Sequence, residues 1–304
     1  MNEAAISADG LVNRIRAILG LLLLEGALVV CWSSGFVGVR FAIAHASVFL
    51  ILLWRSLASA LLLLPFALLI GPPLRVRQII PQMAIGALAM SGYLAGFALA
   101  LSYGVPTGLV ALIADMLPLA VAMLSLPVLG QMVTGGQWVG FLIGSLGVII
   151  ASMGAMQVGE APLWAYSLPL LGMLSLAVAT LLQKRTVKMT MPVHQSLCIQ
   201  CFAAAAIFAI FAGREGSVLP LADWGFLAGI LWLVFLATLG GYGLYYLCLR
   251  KSSPARVSSV LYLSPSVTML WAWIMFDEPI SWAMVFGLAV SLTGVTIVAR
   301  SQKS

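Results

Sequence analysis

Long apolar runs alternate with short polar breaks along the whole 304-residue chain. Charge, proline and glycine divide it into ten runs, at 17–38, 47–70, 79–102, 106–128, 135–154, 163–183, 193–212, 224–248, 254–275 and 281–300. A helix crossing the hydrocarbon core of a bilayer needs roughly 20 apolar residues. Each run therefore predicts one membrane-spanning helix, and the pattern as a whole predicts an all-α integral membrane protein with ten transmembrane helices. The connections are short and leave little chain for a soluble domain. Arg14 and Arg16 before the first run superficially suggest a signal peptide. No small-x-small cleavage site follows, and Glu25 interrupts the run, so the segment reads as a retained first helix.

The charges between the runs orient the helices. With the N-terminus in the cytoplasm, the inner face receives Arg14, Arg16, Arg75, Arg77, Lys184, Arg185, Lys188, Arg250, Lys251, Arg256, Arg300 and Lys303. The outer connections receive Arg214, with Arg40 near the outer end of the first helix, and they hold Glu160, Glu215, Asp223, Asp277 and Glu278. This positive-inside bias places both termini in the cytoplasm, which requires an even number of crossings. Composition agrees: 62% of residues are hydrophobic and 8% charged, against about 25% charged in soluble domains. Cys31, Cys198, Cys201 and Cys248 all lie in apolar stretches and form no secreted disulfide framework.

The second half echoes the first. Pro118, Gly140 and Gly147 recur as Pro265, Gly287 and Gly294, 147 residues later, and a shift of 148 pairs Gly92 with Gly240, Phe97 with Tyr245 and Pro106 with Pro254. Gln131 falls opposite Glu278. Five is odd, so a repeated five-helix unit re-enters the membrane from the opposite side. The expected units, 17–154 and 163–300, are then inverted copies. Secondary transporters use this arrangement and bind substrate near the midplane between the copies.

Trp32-Ser33-Ser34-Gly35, Gly104-Val105-Pro106 followed by Pro118, Ser253-Pro254-Ala255 leading to Leu263-Ser264-Pro265, and Asp277-Glu278-Pro279 before Gly287 and Gly294 occur in this order. In these features nearly the whole chain resembles the drug/metabolite transporter superfamily, in its ten-helix EamA-type branch. The resemblance implies an exporter of amino acids or related metabolites across the plasma (inner) membrane by alternating access. It also implies a cavity lined by the first, third, fourth, sixth, eighth and ninth helices. A multidrug or lipid-precursor exporter of the same fold is the alternative. Because Gln131 stands opposite Glu278, the acidic residue is not duplicated and is not assigned to substrate binding.

Charges inside spans cost at least about 2.5–3.5 kcal/mol at the bilayer centre and so mark candidate sites. Asp115 lies about ten residues into the fourth helix, ~15 Å deep at a rise of about 1.5 Å per residue. Arg55 in the second helix is at similar depth. The two either pair as a buried salt bridge, or Asp115 faces the cavity and contacts a substrate ammonium or carries a proton. Glu25 either lines the inner vestibule or reaches towards Lys184 or Arg256. Arg40 and Arg185 either anchor their helices at the interface or sit at the two cavity mouths. Trp32 and Ser33 interrupt an aliphatic helix, and a mid-span indole needs a partner for its N–H. Tyr93 and Phe97 share a face of the third helix, Tyr242, Tyr245 and Tyr246 one of the eighth, and Tyr262 is the repeat counterpart of Asp115. The candidate binding set is Trp32, Ser33, Tyr93, Phe97, Asp115, Tyr242, Tyr246 and Tyr262, with Asp115, Arg55 and Glu25 for coupling or ion pairing. Pro118 and Pro265 interrupt equivalent helices and are candidate hinges. Trp138, Trp164, Trp224 and Trp282 fall near span ends as interfacial belt residues. Gly92-x-x-x-Gly96 and Gly140-x-x-x-Gly144 are close-packing faces.

His194, Cys198 and Cys201 share one helical face, but one helix offers too few ligands for a metal. The sequence holds no phosphate-binding loop, HExxH or GxSxG motif and no basic nucleic-acid face. The expected partners are a small-molecule substrate, the lipid bilayer and protons, with no cofactor, metal, ATP or nucleic acid and no enzymatic activity.

Overall fold

The computed structural model describes residues 2–129, 134–158, 160–185, 191–251, 257 and 260–301, with the side chains of 2–18, 122, 125–129, 158, 184, 185, 246, 249, 250 and 299 left undescribed. All elements among these residues are helical. In chain order they are α1 (Asn2–Ala42), α2 (Val48–Leu69), α3 (Val76–Ser102), α4 (Thr107–Ala114), α5 (Leu117–Leu129), α6 (Gly135–Val158), α7 (Ser167–Arg185), α8 (Val193–Glu215), α9 (224–251), α10 (Ser264–Phe276) and α11 (Trp282–Ser301). Seven described helices are individually long and apolar enough to cross a membrane. The ten-span expectation differs from this at three places. The fourth run is broken into α4 and α5, and the ninth begins among residues outside the description. In the tenth, the apolar stretch is the shorter Trp282–Val298.

The break in the fourth run has a local cause. Asp115 N–H donates to the Ala111 carbonyl and Met116 N–H to that of Ile113, tightening the last turn of α4. Pro118, second in α5, has no N–H to continue the ladder but fits a first helical turn. Pro265 likewise sits in the first turn of α10, after a turn at Tyr262 and Leu263. Both prolines therefore start helices, where the sequence suggested that they kink helix interiors. Two longer helices carry π-helical segments, Ala87–Gly92 in α3 and Trp232–Gly240 in α9, and each segment ends on a glycine.

Extensive packing joins α6 with α11, α2 with α8, α3 with α7 and α1 with α9, followed by α3 with α8, α5 with α7 and α4 with α10. The α6–α11 pair is the closest. A methyl group on Gly147 would meet the Gly287 carbonyl oxygen at 2.6 Å, and one on Gly140 would meet the Gly294 oxygen at 2.7 Å. Small residues let these backbones touch, as bilayer helices require when hydrophobic burial offers no net gain between them. Gly92 and Gly96 face Ser175 and Gly172 of α7 in the same way. Large apolar side chains such as Leu23, Leu69, Ile149 and Ile274 stay exposed on the outside of the bundle, where acyl chains can cover them. Trp138, Trp164, Trp224 and Trp282 are exposed as well.

Candidate substrate cavity

A cavity of about 540 Å³ lies inside the bundle, within the roughly 300–1,000 Å³ typical of small-molecule sites. Trp32, Phe36 and Val39 of α1 and Tyr93, Phe97 and Leu101 of α3 form one side. Arg55, Ser56 and Ser59 of α2 line it too, as do Thr238, Tyr242 and Tyr245 of α9. Both π-helical segments reach it, through Met90 and through Ala237 and Thr238. A π turn breaks the regular i→i−4 ladder and is often found at functional sites. The Thr238 hydroxyl donates to the Leu233 carbonyl at 2.8 Å, which satisfies one displaced acceptor. From the aromatic level the cavity runs to Gln183, Met191 and Val193, at the connection between α7 and α8.

Its walls are organised by ring contacts. Tyr93 meets Phe97 edge-on with centroids 4.2 Å apart, and Phe97 packs against Phe36 at 5.6 Å. Trp32 meets Tyr242 edge-on at 5.9 Å and Tyr245 at 6.2 Å. Polar groups are few. Gln200 of α8 donates to the Gln82 side-chain oxygen at 2.8 Å across a buried contact.

Of the residues singled out in the sequence, Trp32, Tyr93, Phe97, Tyr242 and Arg55 come together here. Ser33 does not. It is fully buried, its hydroxyl donates to the Ser264 carbonyl at 3.1 Å, and it ties α1 to the start of α10. Asp115 occupies the break between α4 and α5, outside the cavity lining. Its Oδ2 is buried without a hydrogen-bond partner among the described residues, and its electrostatic neighbours include Tyr93 and Tyr262. Asp115 and Arg55 form no ion pair; Tyr93 lies within electrostatic reach of both. Tyr262 stands beside Asp115 and off the lining. Glu25 is buried near Cys248, also off the lining. The side chains of Tyr246, Arg185, Lys184 and Arg256 lie outside the described residues, as do Gln131, Ser253, Pro254 and Ala255. The second and seventh runs contribute to the lining although the resemblance left them out, and no described residue of the ninth does.

One end of the bundle is tied by Glu278. Gly104, at φ +88, reverses the chain between α3 and α4, and Pro106 leaves the first amides of α4 without a side-chain cap of its own. Asp277 ends α10 in the left-handed region at φ 52, a conformation that a short polar side chain tolerates. That turn delivers Glu278 to α4. Its carboxylate accepts from Thr107 N–H at 2.7 Å and from the Thr107 hydroxyl at 2.6 Å. Arg40 Nε donates to the same carboxylate at 3.2 Å while its guanidinium lies 5.2 Å from the Phe276 ring centroid. A carboxylate at a helix N-terminus is favoured by the helix dipole and the free amides there. Nearby, His45 approaches Asp223 at 3.3 Å, and Asp223 caps α9 by accepting from Phe226 N–H.

His194 and Gln195 are structural. The His194 Nε2 lies 2.6 Å from the Ile70 carbonyl oxygen, and Gln195 donates to the carbonyls of Ala67 and Pro72. They satisfy carbonyls at and just beyond the C-terminus of α2, where the last carbonyls of a helix have no partner within it. Cys198 points its thiol at the Ala60 carbonyl.

The family model described as the EamA-like transporter family matches this chain twice, over residues 18–153 and 163–300. The chain belongs to the EamA-like transporter family. It is a transporter rather than an enzyme, and a multi-pass integral protein of the inner membrane. An uncharacterized inner membrane transporter, YedA, of Escherichia coli strain K12 is 28% identical over 94% of this chain and 92% of its own length. An uncharacterized transporter of Archaeoglobus fulgidus is 23% identical over 90% of this chain and 96% of its own. A probable amino-acid metabolite efflux pump of Escherichia coli strain K12 is 24% identical over 65% and 69% of the two chains. A crystal structure superposes with a TM-score of 0.60 at 18% identity, covering 94% of this chain and 99% of the other, so the fold is shared.

Proposed function

We propose that this EamA-like transporter exports amino acids or related small metabolites from the cytoplasm by alternating access. The moving parts are two inverted five-helix halves, 17–154 and 163–300, with both termini cytoplasmic. The observation that carries the reading is the cavity itself. It is walled by Trp32, Tyr93 and Tyr242, reaches the partly exposed Gln183, Met191 and Val193, and includes Val39, the sequence neighbour of Arg40 in the Arg40–Glu278–Thr107 tie. On the positive-inside orientation the open end faces the cytoplasm.

Several features support the inverted halves. A twofold axis in the membrane plane would turn the α1–α9 contact into the α3–α7 contact and map each of the α2–α8, α4–α10 and α6–α11 contacts onto itself, and all five pairs are in contact. Asp115 and Tyr262 each open a two-residue helix break, at corresponding places in the fourth and ninth runs. The π-helical segments end at the corresponding glycines Gly92 and Gly240. The relative named as a probable amino-acid metabolite efflux pump supports the substrate class.

The site assignment is tested with neighbouring substitutions in proteoliposomes. Trp32→Ala removes a cavity wall and is expected to lower amino-acid exchange several-fold, whereas Ser33→Ala is expected to cost about 1 kcal/mol of stability, one buried hydrogen bond, and to leave exchange intact. Exchange rates and unfolding midpoints measured on both variants check this; equal exchange by the two would remove Trp32 from the site. If Asp115 carries the coupling proton, Asp115→Asn is expected to exchange solute normally while losing the response to an imposed pH gradient. A gradient response as large as that of the wild type would end that assignment.

A further inference from the structure

Resting on the transport reading above, we propose that Arg55, assisted by Ser59, binds a carboxylate of the transported solute, so that the substrates are carboxylates with an apolar or aromatic body and organic cations are excluded. Arg55 lines the cavity, and its neighbours there are the phenols of Tyr93 and Tyr242 and the thiol of Cys201. No protein carboxylate neutralises it: the ion pairs among the described residues are Arg40–Glu278 and His45–Asp223. Of the nine acidic residues in the chain, Glu3 and Asp9 alone have undescribed side chains, and both precede the first span. The cavity lining contains no Asp or Glu. An arginine stays charged in protein interiors, and intramembrane charges almost always face a partner or a polar cavity. Here the counter-charge for the guanidinium has to come from outside the chain.

Ser59 supplies an independent indication. It is 1% exposed, lines the same cavity, and its hydroxyl has no hydrogen-bond partner among the described residues. It follows Arg55 by four residues on α2, so the two side chains stack on one helix face. A planar fork of N–H donors with a hydroxyl donor one turn away matches a carboxylate, which accepts two parallel bonds from the fork and one from the hydroxyl. The rings of Trp32, Tyr93 and Tyr242 then flank the remainder of the molecule. Asp115, a carboxylate within electrostatic reach of Tyr93, is off the lining, so no carboxylate in the cavity offers an ammonium group a counter-charge.

The test measures equilibrium binding to the full chain in lipid nanodiscs, with empty discs as blank. Three probes share one body: 3-phenylpropionate, its amide and 3-phenylpropylammonium. The acid is expected to bind at least ~10-fold more tightly than the amide, as sites built around a charged hydrogen-bond donor discriminate, and the ammonium is expected to show no saturable binding. Arg55→Gln is expected to erase the difference between acid and amide. Arg55→Lys keeps the charge without the fork and should retain part of it. Ser59→Ala should weaken the acid alone, roughly threefold. Equal binding of all three probes, absence of binding, or a preference for the acid that survives in folded Arg55→Gln protein would each overturn the proposal. Should Arg55→Gln fail to fold, the probe series on the wild type and Arg55→Lys still decide it. Because the assay needs no transport, an exporter with a site of different polarity would fail here and still exchange solute in liposomes.

Discussion

Gly147→Leu is expected to destabilise the protein by about 3 kcal/mol, the upper part of the range for overpacking a close contact. Any side chain at this position points into α11. Its first carbon would collide with the backbone nitrogen of Ser291 and lie 2.6 Å from the Gly287 carbonyl oxygen. Backbone cannot rotate out of the way as a flexible side chain can, so α6 and α11 must separate along their shared glycine face. Gly135→Leu is the control, since a side chain there meets nothing within 4 Å, and a surface change of this kind stays within about 0.5 kcal/mol. Thermal unfolding in one detergent, followed by monodispersity on size exclusion, compares the two. Equal midpoints would mean that the α6–α11 contact is not the tight interface described here.

Glu278→Gln is expected to shift the conformational balance by roughly 1.5–3 kcal/mol, the range for a hydrogen bond to a charged group, which is about 10- to 150-fold in population. The carboxylate joins three elements at one end of the bundle, through Arg40 of α1, Thr107 of α4 and the connection after α10. The amide accepts with one oxygen and carries no charge, so it leaves Arg40 and the α4 amides under-satisfied. If this tie holds the outer end shut, weakening it exposes the cavity outside. A cysteine placed at Ser56, in a background lacking the native cysteines, reports this through labelling by a membrane-impermeant thiol reagent added to the periplasmic face. Labelling should accelerate at least several-fold in Glu278→Gln. An unchanged rate would make the tie a local cap of α4 with no part in gating.

The membrane fold was legible because bilayer helices need an unbroken apolar length, and the seven long apolar spans among the described residues start and stop within a few residues of runs read from the chain. Asp115 and Pro118 showed that the fourth run was unusual. Whether proline kinks a helix or starts a new one depends on backbone hydrogen bonds at Asp115 and Met116, which a residue pattern does not reveal. The aromatic side chains Trp32, Tyr93, Phe97 and Tyr242 could be found as cavity lining because they interrupt aliphatic helices or share one helical face. Ser33 was misleading for a rotational reason: adjacent residues on a helix point about 100° apart, so Trp32 faces the cavity while Ser33 faces α10. Ser59 was within reach, as a polar residue four positions from Arg55 in an aliphatic helix. The role of Glu278 was not, since its partners Thr107 and Arg40 lie 171 and 238 residues away in sequence.

The most direct test of transport is counterflow in liposomes holding only the purified protein, preloaded with unlabelled amino acids or related carboxylates one at a time. Saturable accumulation of the labelled solute, reduced in Trp32→Ala and absent from protein-free liposomes, is the expected result. Absence of exchange for every amino acid and carboxylate, from protein that remains monodisperse and folded, would contradict the assignment of a metabolite exporter.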